Sequence, residues 1–151
     1  MLLDISHLPP AHGWLTVTFT TADAKVEVDA SDALNNPLQD LVTALDDVLR
    51  GRSARVTWFL EPGEFVLALD PIGEDVALRL ISFEFLSDGK DGTVKLSVSG
   101  SRAAILEPLC RLVREVNAGG HPENAWPRAD LRGLEQIEQR LGSGRTRDTN
   151  P

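Results

Sequence analysis

Residues 54–70, ARVTWFLEPGEFVLALD, decide how this chain is read. Two runs rich in β-branched and aromatic residues flank a Pro-Gly pair, and that dipeptide is among the strongest local punctuation marks. Pro-Gly suits the central positions of a type II turn, because proline fixes the first φ and glycine supplies the positive second one. An L-proline cannot take positive φ, so the tight I′ and II′ hairpins are excluded and a wider or bulged corner is expected. Two further runs follow with no helix between them, DVALRLISFEFL (75–86) and TVKLSVS (93–99), joined by SDGKDG. Four strands in succession with short loops read as an antiparallel meander. Within the third run Val76, Leu78 and Leu80 share one face, while Ile81, Phe83 and Phe85 share the other. A bulge near Leu80 would restore a single buried face; burial on both faces is the alternative.

Upstream, GWLTVTFTTADAKVEVDA (13–30) alternates cleanly. Leu15, Val17 and Phe19 point one way and Thr16, Thr18 and Thr20 the other, which is the pattern of half-buried strands joined by a polar turn. Between the two strand groups, NNPLQDLVTALDDVLRG (35–51) carries the signals of a helix. Asn36 stands at the N-cap, Pro37 at the first helical position and Gln39 at the capping-box position. Leu38, Leu41, Val42, Leu45, Val48 and Leu49 form the apolar stripe, and Gly51 is the stop. After the meander, SRAAILEPLCRLVREVNAGG (101–120) is helical, with Pro108 either kinking it or delaying its start to Glu107. A loop, HPENAWP, leads to a last helix, RADLRGLEQIEQRL (128–141), and residues 142–151 are expected to form a disordered tail. The order ββαββββαα groups strands instead of alternating them with helices. It predicts one α+β domain over 1–141, an antiparallel sheet of about six strands with about three helices on one face.

With 151 residues, 42% of them apolar, the chain can bury an ordinary core without staples. The single cysteine, Cys110, excludes an intrachain disulfide and fits a reducing compartment. No basic n-region precedes an apolar stretch, and no apolar run approaches the ~20 residues of a membrane helix, so a cytoplasmic protein is expected. A net charge of −8 and a pI near 4.8 disfavour nucleic acid and anionic membranes, while permitting a basic protein partner. Twelve arginines against three lysines suggest a GC-rich bacterial genome.

Few residues look like chemistry. Glu61 and Glu64, around the Pro-Gly pair, read as the polar corner of a hairpin. His7, His12 and His121 have no metal-ligand spacing; with Glu123, His121 would be the best ligand, but neither a metal site nor a cofactor is expected. Cys110 continues an apolar arc and reads as a buried structural thiol. Asp88, Lys90 and Asp91 belong to a turn, since a lysine occupies a position where a calcium loop needs an oxygen. Phosphate-cradling and nucleophile-elbow glycine motifs are absent.

The segment SDALNNPLQDLVTALDDVLRG (31–51), followed by VTWFLEPGEFVLAL (56–69), resembles a group of small bacterial proteins. These share a proline-leucine helix start and then a strand with Glu-Pro-Gly. Some look like immunity or accessory proteins. The resemblance carries over no catalytic residue.

The expectation is therefore a non-enzymatic, acidic protein-binding module, immunity-like or accessory in role. Its partner would meet the acidic helix face (Asp40, Asp46, Asp47) and the loop tryptophan Trp126. Unpaired edge strands also raise the expectation of a homodimer. The alternative is a small-molecule binder or enzyme whose pocket, between sheet and helices, is lined by Trp58, Arg79 and Glu84.

Overall fold

The computed structural model describes residues 2–60, 63–84, 92–119 and 127–148. Among these the chain is α+β, with seven strands and three helices. The strands form two antiparallel sheets, of three and four strands, and not one sheet of about six. The smaller sheet has the order β1 (Asp4–His7), β2 (Trp14–Thr20), β3 (Lys25–Ser31). Helix α1 (Pro37–Leu49) follows. The expected meander is the second sheet, in chain order: β4 (Ala54–Phe59), β5 (Glu64–Ile72), β6 (Asp75–Phe83), β7 (Thr93–Ser101). Helices α2 (Arg102–Ala118) and α3 (Leu131–Asp148) close the chain.

The additional strand, β1, lies in the lead-in, where Pro9 and Pro10 hide it. Prolines have no N–H for the ladder, and pairing with β2 is interrupted there. It resumes beyond them, where Ala11 and Trp14 exchange backbone bonds of 2.9 and 3.0 Å. His12 (φ 53°) and Gly13 (φ 81°) make this a two-residue hairpin with both central φ positive, as a type I′ turn requires. Asp32 N–H donates to the Gly13 carbonyl at 3.0 Å and ties the turn to the end of β3.

Helix α1 starts as its sequence indicates, with the Asn36 side chain accepting from Gln39 N–H at 3.2 Å. Gln39 does not complete a capping box. Its Oε1 accepts from Asp130 N–H at 2.7 Å and so docks the entrance of α3. At the other end Gly51 takes φ 84°, and Arg52 N–H reaches the Asp47 carbonyl while Gly51 N–H reaches that of Val48, a Schellman ending. Helix α2 starts at Arg102 and runs through Pro108, with Ser101 Oγ accepting from Ala104 N–H as its cap. Helix α3 runs on to Asp148, through residues assigned from sequence to a tail. No helix among the described residues is long and apolar enough to cross a membrane.

The phase change in β6 has a different cause from a bulge in β6 itself. Leu80 pairs with Leu96 and Ile81 with Val94, so the extra residue, Lys95, belongs to β7. Strand β6 alternates strictly and uses both faces. Val76, Leu78 and Leu80 enter the main core, while Ile81 joins Val66, Ala68 and Phe83 in a small cluster on the opposite face. The main core is one cluster running from Leu3 to Leu141, and it takes the inner faces of both sheets and the apolar stripes of all three helices.

At the β4–β5 corner the ladder continues one pair past Phe59–Glu64, because Leu60 N–H donates to the Gly63 carbonyl at 3.0 Å. Gly63 thus ends the pairing instead of sitting centrally in the turn; residues 61 and 62 lie outside the described residues. Its φ is +92°, and a Cβ there would sit 2.8 Å from the Phe83 carbonyl oxygen. Gly63→Ala is accordingly expected to destabilise the protein by about 2 kcal/mol or more, from the positive φ and a backbone clash together. Urea denaturation measures this, with Gly51→Ala, which meets open space, as the milder comparison.

Candidate functional site

The acidic face of α1 has an internal partner. Asp46 accepts from Arg50 Nε at 3.0 Å and from Arg140 of α3, and Asp47 accepts from Arg52 at 2.7 Å. Asp40 accepts from Asn35 Nδ2 at 3.0 Å. The Arg140 hydrogen bond, followed by that of Arg50, holds the Asp46 carboxyl below its ordinary 3.8. Asn36 Nδ2 also donates to the Arg128 carbonyl, and Asn117 exchanges two hydrogen bonds with Ala129. The polar side of α1 therefore receives the segment that leads into α3 and α3 itself. Trp126, the other residue singled out for a partner, lies outside the described residues, as do His121 and Glu123.

The pocket alternative is divided by the sheet. Trp58 is fully buried in the core, and its Nε1 has no partner among the described residues. Arg79 pairs with Ala68 in the ladder, on the opposite face from Trp58, and binds Asp70 at 3.2 Å with its side chain 38% exposed. Glu84 is exposed. These three residues do not converge. His7 lies 3.3 Å from Glu115, His12 occupies the turn before β2, and Glu64 is half-buried opposite Phe83. Among the described residues no three His, Cys, Asp or Glu side chains cluster as metal ligands would.

Two clefts stand out. One, of about 310 Å³, lies between α2 and α3 and is lined by Glu107, Cys110, Arg111, Arg114, Glu138 and Leu141. Arg114 and Glu138 are joined across it by a two-pronged ion pair. Burial, then the nearby Glu138 and Glu107 carboxylates, push the Cys110 thiol up to about 12. A nucleophile needs the thiolate, so these surroundings oppose reactivity.

The second cleft, of about 270 Å³, lies where the outer face of β2–β3 meets the β4–β5 corner. Its walls are Trp14, Glu27, Asp29, Leu60 and Phe65. Trp14 begins β2 directly after the His12-Gly13 turn and pairs with Ser31; the next two pairs on the same face are Thr16–Asp29 and Thr18–Glu27. Strand alternation places the indole on the polar side of the sheet, so it stays 39% exposed. Asp29 accepts from the Thr16 hydroxyl at 2.6 Å. Neither Glu27 nor Asp29 makes an ion pair among the described residues, and both are exposed. Lys25 is the only lysine or arginine in the three strands.

Sequence reasoning did not single out Trp14 as a site residue. The signal was nonetheless present. An aromatic at the parity of Thr16, Thr18 and Thr20 belongs to the wet face, where a core role is closed to it. No family model, curated protein or solved structure matches the chain, and the site stands on its own chemistry.

Two outcomes follow from these environments. Cys110 is expected to resist a disulfide-exchange reagent at pH 8 in the native protein and to react fully once the chain is unfolded in denaturant, as read by thiol titration. Asp46→Asn is expected to lower stability at pH 7 by up to about 1 kcal/mol, the scale of exposed ion pairs. Because the folded carboxyl titrates below 3.8, the gap should narrow as the pH falls through that value and close below the depressed one. Denaturant midpoints of both proteins between pH 2 and 7 measure it.

Proposed function

We propose that this chain is a non-enzymatic protein-binding module, immunity-like or accessory in role, which takes a basic partner on the outer face of β1–β3. One observation carries the reading: Asp46 and Asp47 of α1 are answered by arginines of the same chain, whereas Glu27 and Asp29 of β3 make no ion pair among the described residues. Asp46 and Asp47 are each bound by arginine, while Glu27 and Asp29 stand exposed beside an exposed indole. A partly open aromatic beside unneutralised charge is the composition of an interface anchor and its rim. The net charge of −8 adds long-range attraction for a cationic partner. The seat of binding moves from the helix face expected from sequence to the smaller sheet.

The small-molecule alternative has weaker support, because Trp58, Arg79 and Glu84 share no cavity. Affinity capture from a bacterial lysate tests the proposal, using the wild type and a Glu27→Lys/Asp29→Lys variant in parallel at low and moderate salt. A stoichiometric basic protein retained by the wild type and lost by the variant is the expected result. A partner indifferent to the double substitution, or no partner at either salt, would overturn it.

A further inference from the structure

We propose that the cleft bounded by Trp14, Leu60, Phe65, Glu27 and Asp29 seats a single arginine side chain of the partner, its guanidinium against the indole and its two edges shared between the carboxylates. This rests on the binding-module reading above and specifies what that module recognises.

The geometry favours arginine over other cations. Glu27 and Asp29 are two residues apart on one face of β3, so their backbones are separated by about 7 Å along the strand. A planar guanidinium presents donors on opposite edges and can address two acceptors at such a spacing, whereas an ammonium is a compact point charge that satisfies one carboxylate well. Trp14 is the aromatic with the strongest attraction for a cation over its face, and guanidinium planes also stack on it. Leu60 and Phe65, half-buried at the opposite wall, supply apolar surface for the methylene stem. Asp29 is already oriented by the Thr16 hydroxyl, which leaves its other oxygen to the ligand.

The site is also held in position before any ligand arrives. Trp14 is fixed between the His12-Gly13 turn and its pairing with Ser31. Gly13 takes a φ of 81°, a conformation that any other residue would adopt only with strain in the turn. On the opposite wall, the Leu60–Gly63 bond closes the ladder that carries Phe65. Both walls are built on ladder-bonded strands and not on long loops, so little conformational freedom is lost on binding.

The experiment is a two-dimensional NMR titration of the full chain with N-acetyl-arginine amide. The Trp14 indole N–H and the Glu27 and Asp29 amides are followed, and the indole is assigned by its absence in Trp14→Phe. Parallel titrations use N-acetyl-lysine amide, the neutral isostere N-acetyl-citrulline amide, and free L-arginine. Saturable shifts confined to the cleft are expected with the arginine amide, roughly tenfold weaker binding with the lysine amide, and none with citrulline. Trp14→Phe keeps an aromatic face and should retain binding, while Trp14→Ala and Glu27→Gln/Asp29→Asn should lose it with the remaining spectrum unchanged. Lysine and arginine amides binding equally, or no saturation by arginine, sinks the assignment. Free arginine binding more tightly than the blocked amide overturns a peptide source.

The two proposals fail separately. A captured partner that needs Glu27 and Asp29, combined with no arginine preference, removes only the guanidinium assignment. Arginine binding in the cleft, with capture indifferent to the same residues, removes the partner reading.

Discussion

Helix α1 is held from two sides, and the rest of the structure depends on that double engagement. Its apolar stripe, Leu38, Leu41, Leu45 and Val48, is wholly buried between the sheets and the other helices. Its polar side is bound in turn by Gln39 to Asp130, Asn36 to Arg128 and Asp46 to Arg140. The hydrophobic burial supplies most of the stabilisation, since fully burying one leucine is worth about 1.5–3 kcal/mol while an exposed ion pair is worth at most about 1 kcal/mol. The polar contacts do a different job: they fix where the last helix lies. Of the α1 carboxylates, Asp46 is shared between Arg50 and Arg140 of α3 and Asp47 is bound by Arg52, while Asp40 stays exposed beside Asn35.

Overall charge does not locate the carboxylates that stand open. A formal charge of −8 is a sum, and a sum does not distinguish carboxylates matched by arginine from carboxylates left open. On α1, Arg50 lies four residues after Asp46 and pairs with it, as helical spacing allows. Arg140 is ninety-four residues away and meets the same carboxylate only because the core brings α3 across. The first pairing is legible in sequence; the second is a product of the fold.

The same distinction, local against long-range, runs through the architecture. Alternation in β2 and β3, the cap and stop of α1, and the meander order all follow from neighbouring residues, and they agree with the structure. What was missed required knowing who pairs with whom. Strand β1 has only four residues and is followed by two prolines, so its alternation is too short to stand out. The break into two sheets depends on β3 and β4 not sharing a ladder across α1, which no local pattern specifies. In β6 the phase change truly recorded two buried faces, and the bulge inferred there belongs to its neighbour β7 at Lys95. The cleft was half legible: the parity of Trp14 with Glu27 and Asp29 is local, but Leu60 and Phe65 arrive from the other sheet.

On the reading proposed above, the cleft serves recognition. Catalysis by carboxylates requires groups whose environments drive their titration apart, and such tuning comes from burial or from close charged neighbours. Glu27 and Asp29 are exposed, and Asp29 is steadied by a neutral hydroxyl. The one group among the described residues that burial strongly perturbs, Cys110, sits elsewhere and is moved away from its reactive form. Binding asks for something else: a rigid aromatic face, apolar surface for a flexible stem, and acceptors that lose little water until a cation displaces it. On the proposed reading these demands fall to residues in or beside ladder-bonded strands that line the cleft. On that reading the cleft selects its ligand by the shape of the cation, a planar guanidinium against an aromatic face and two carboxylates.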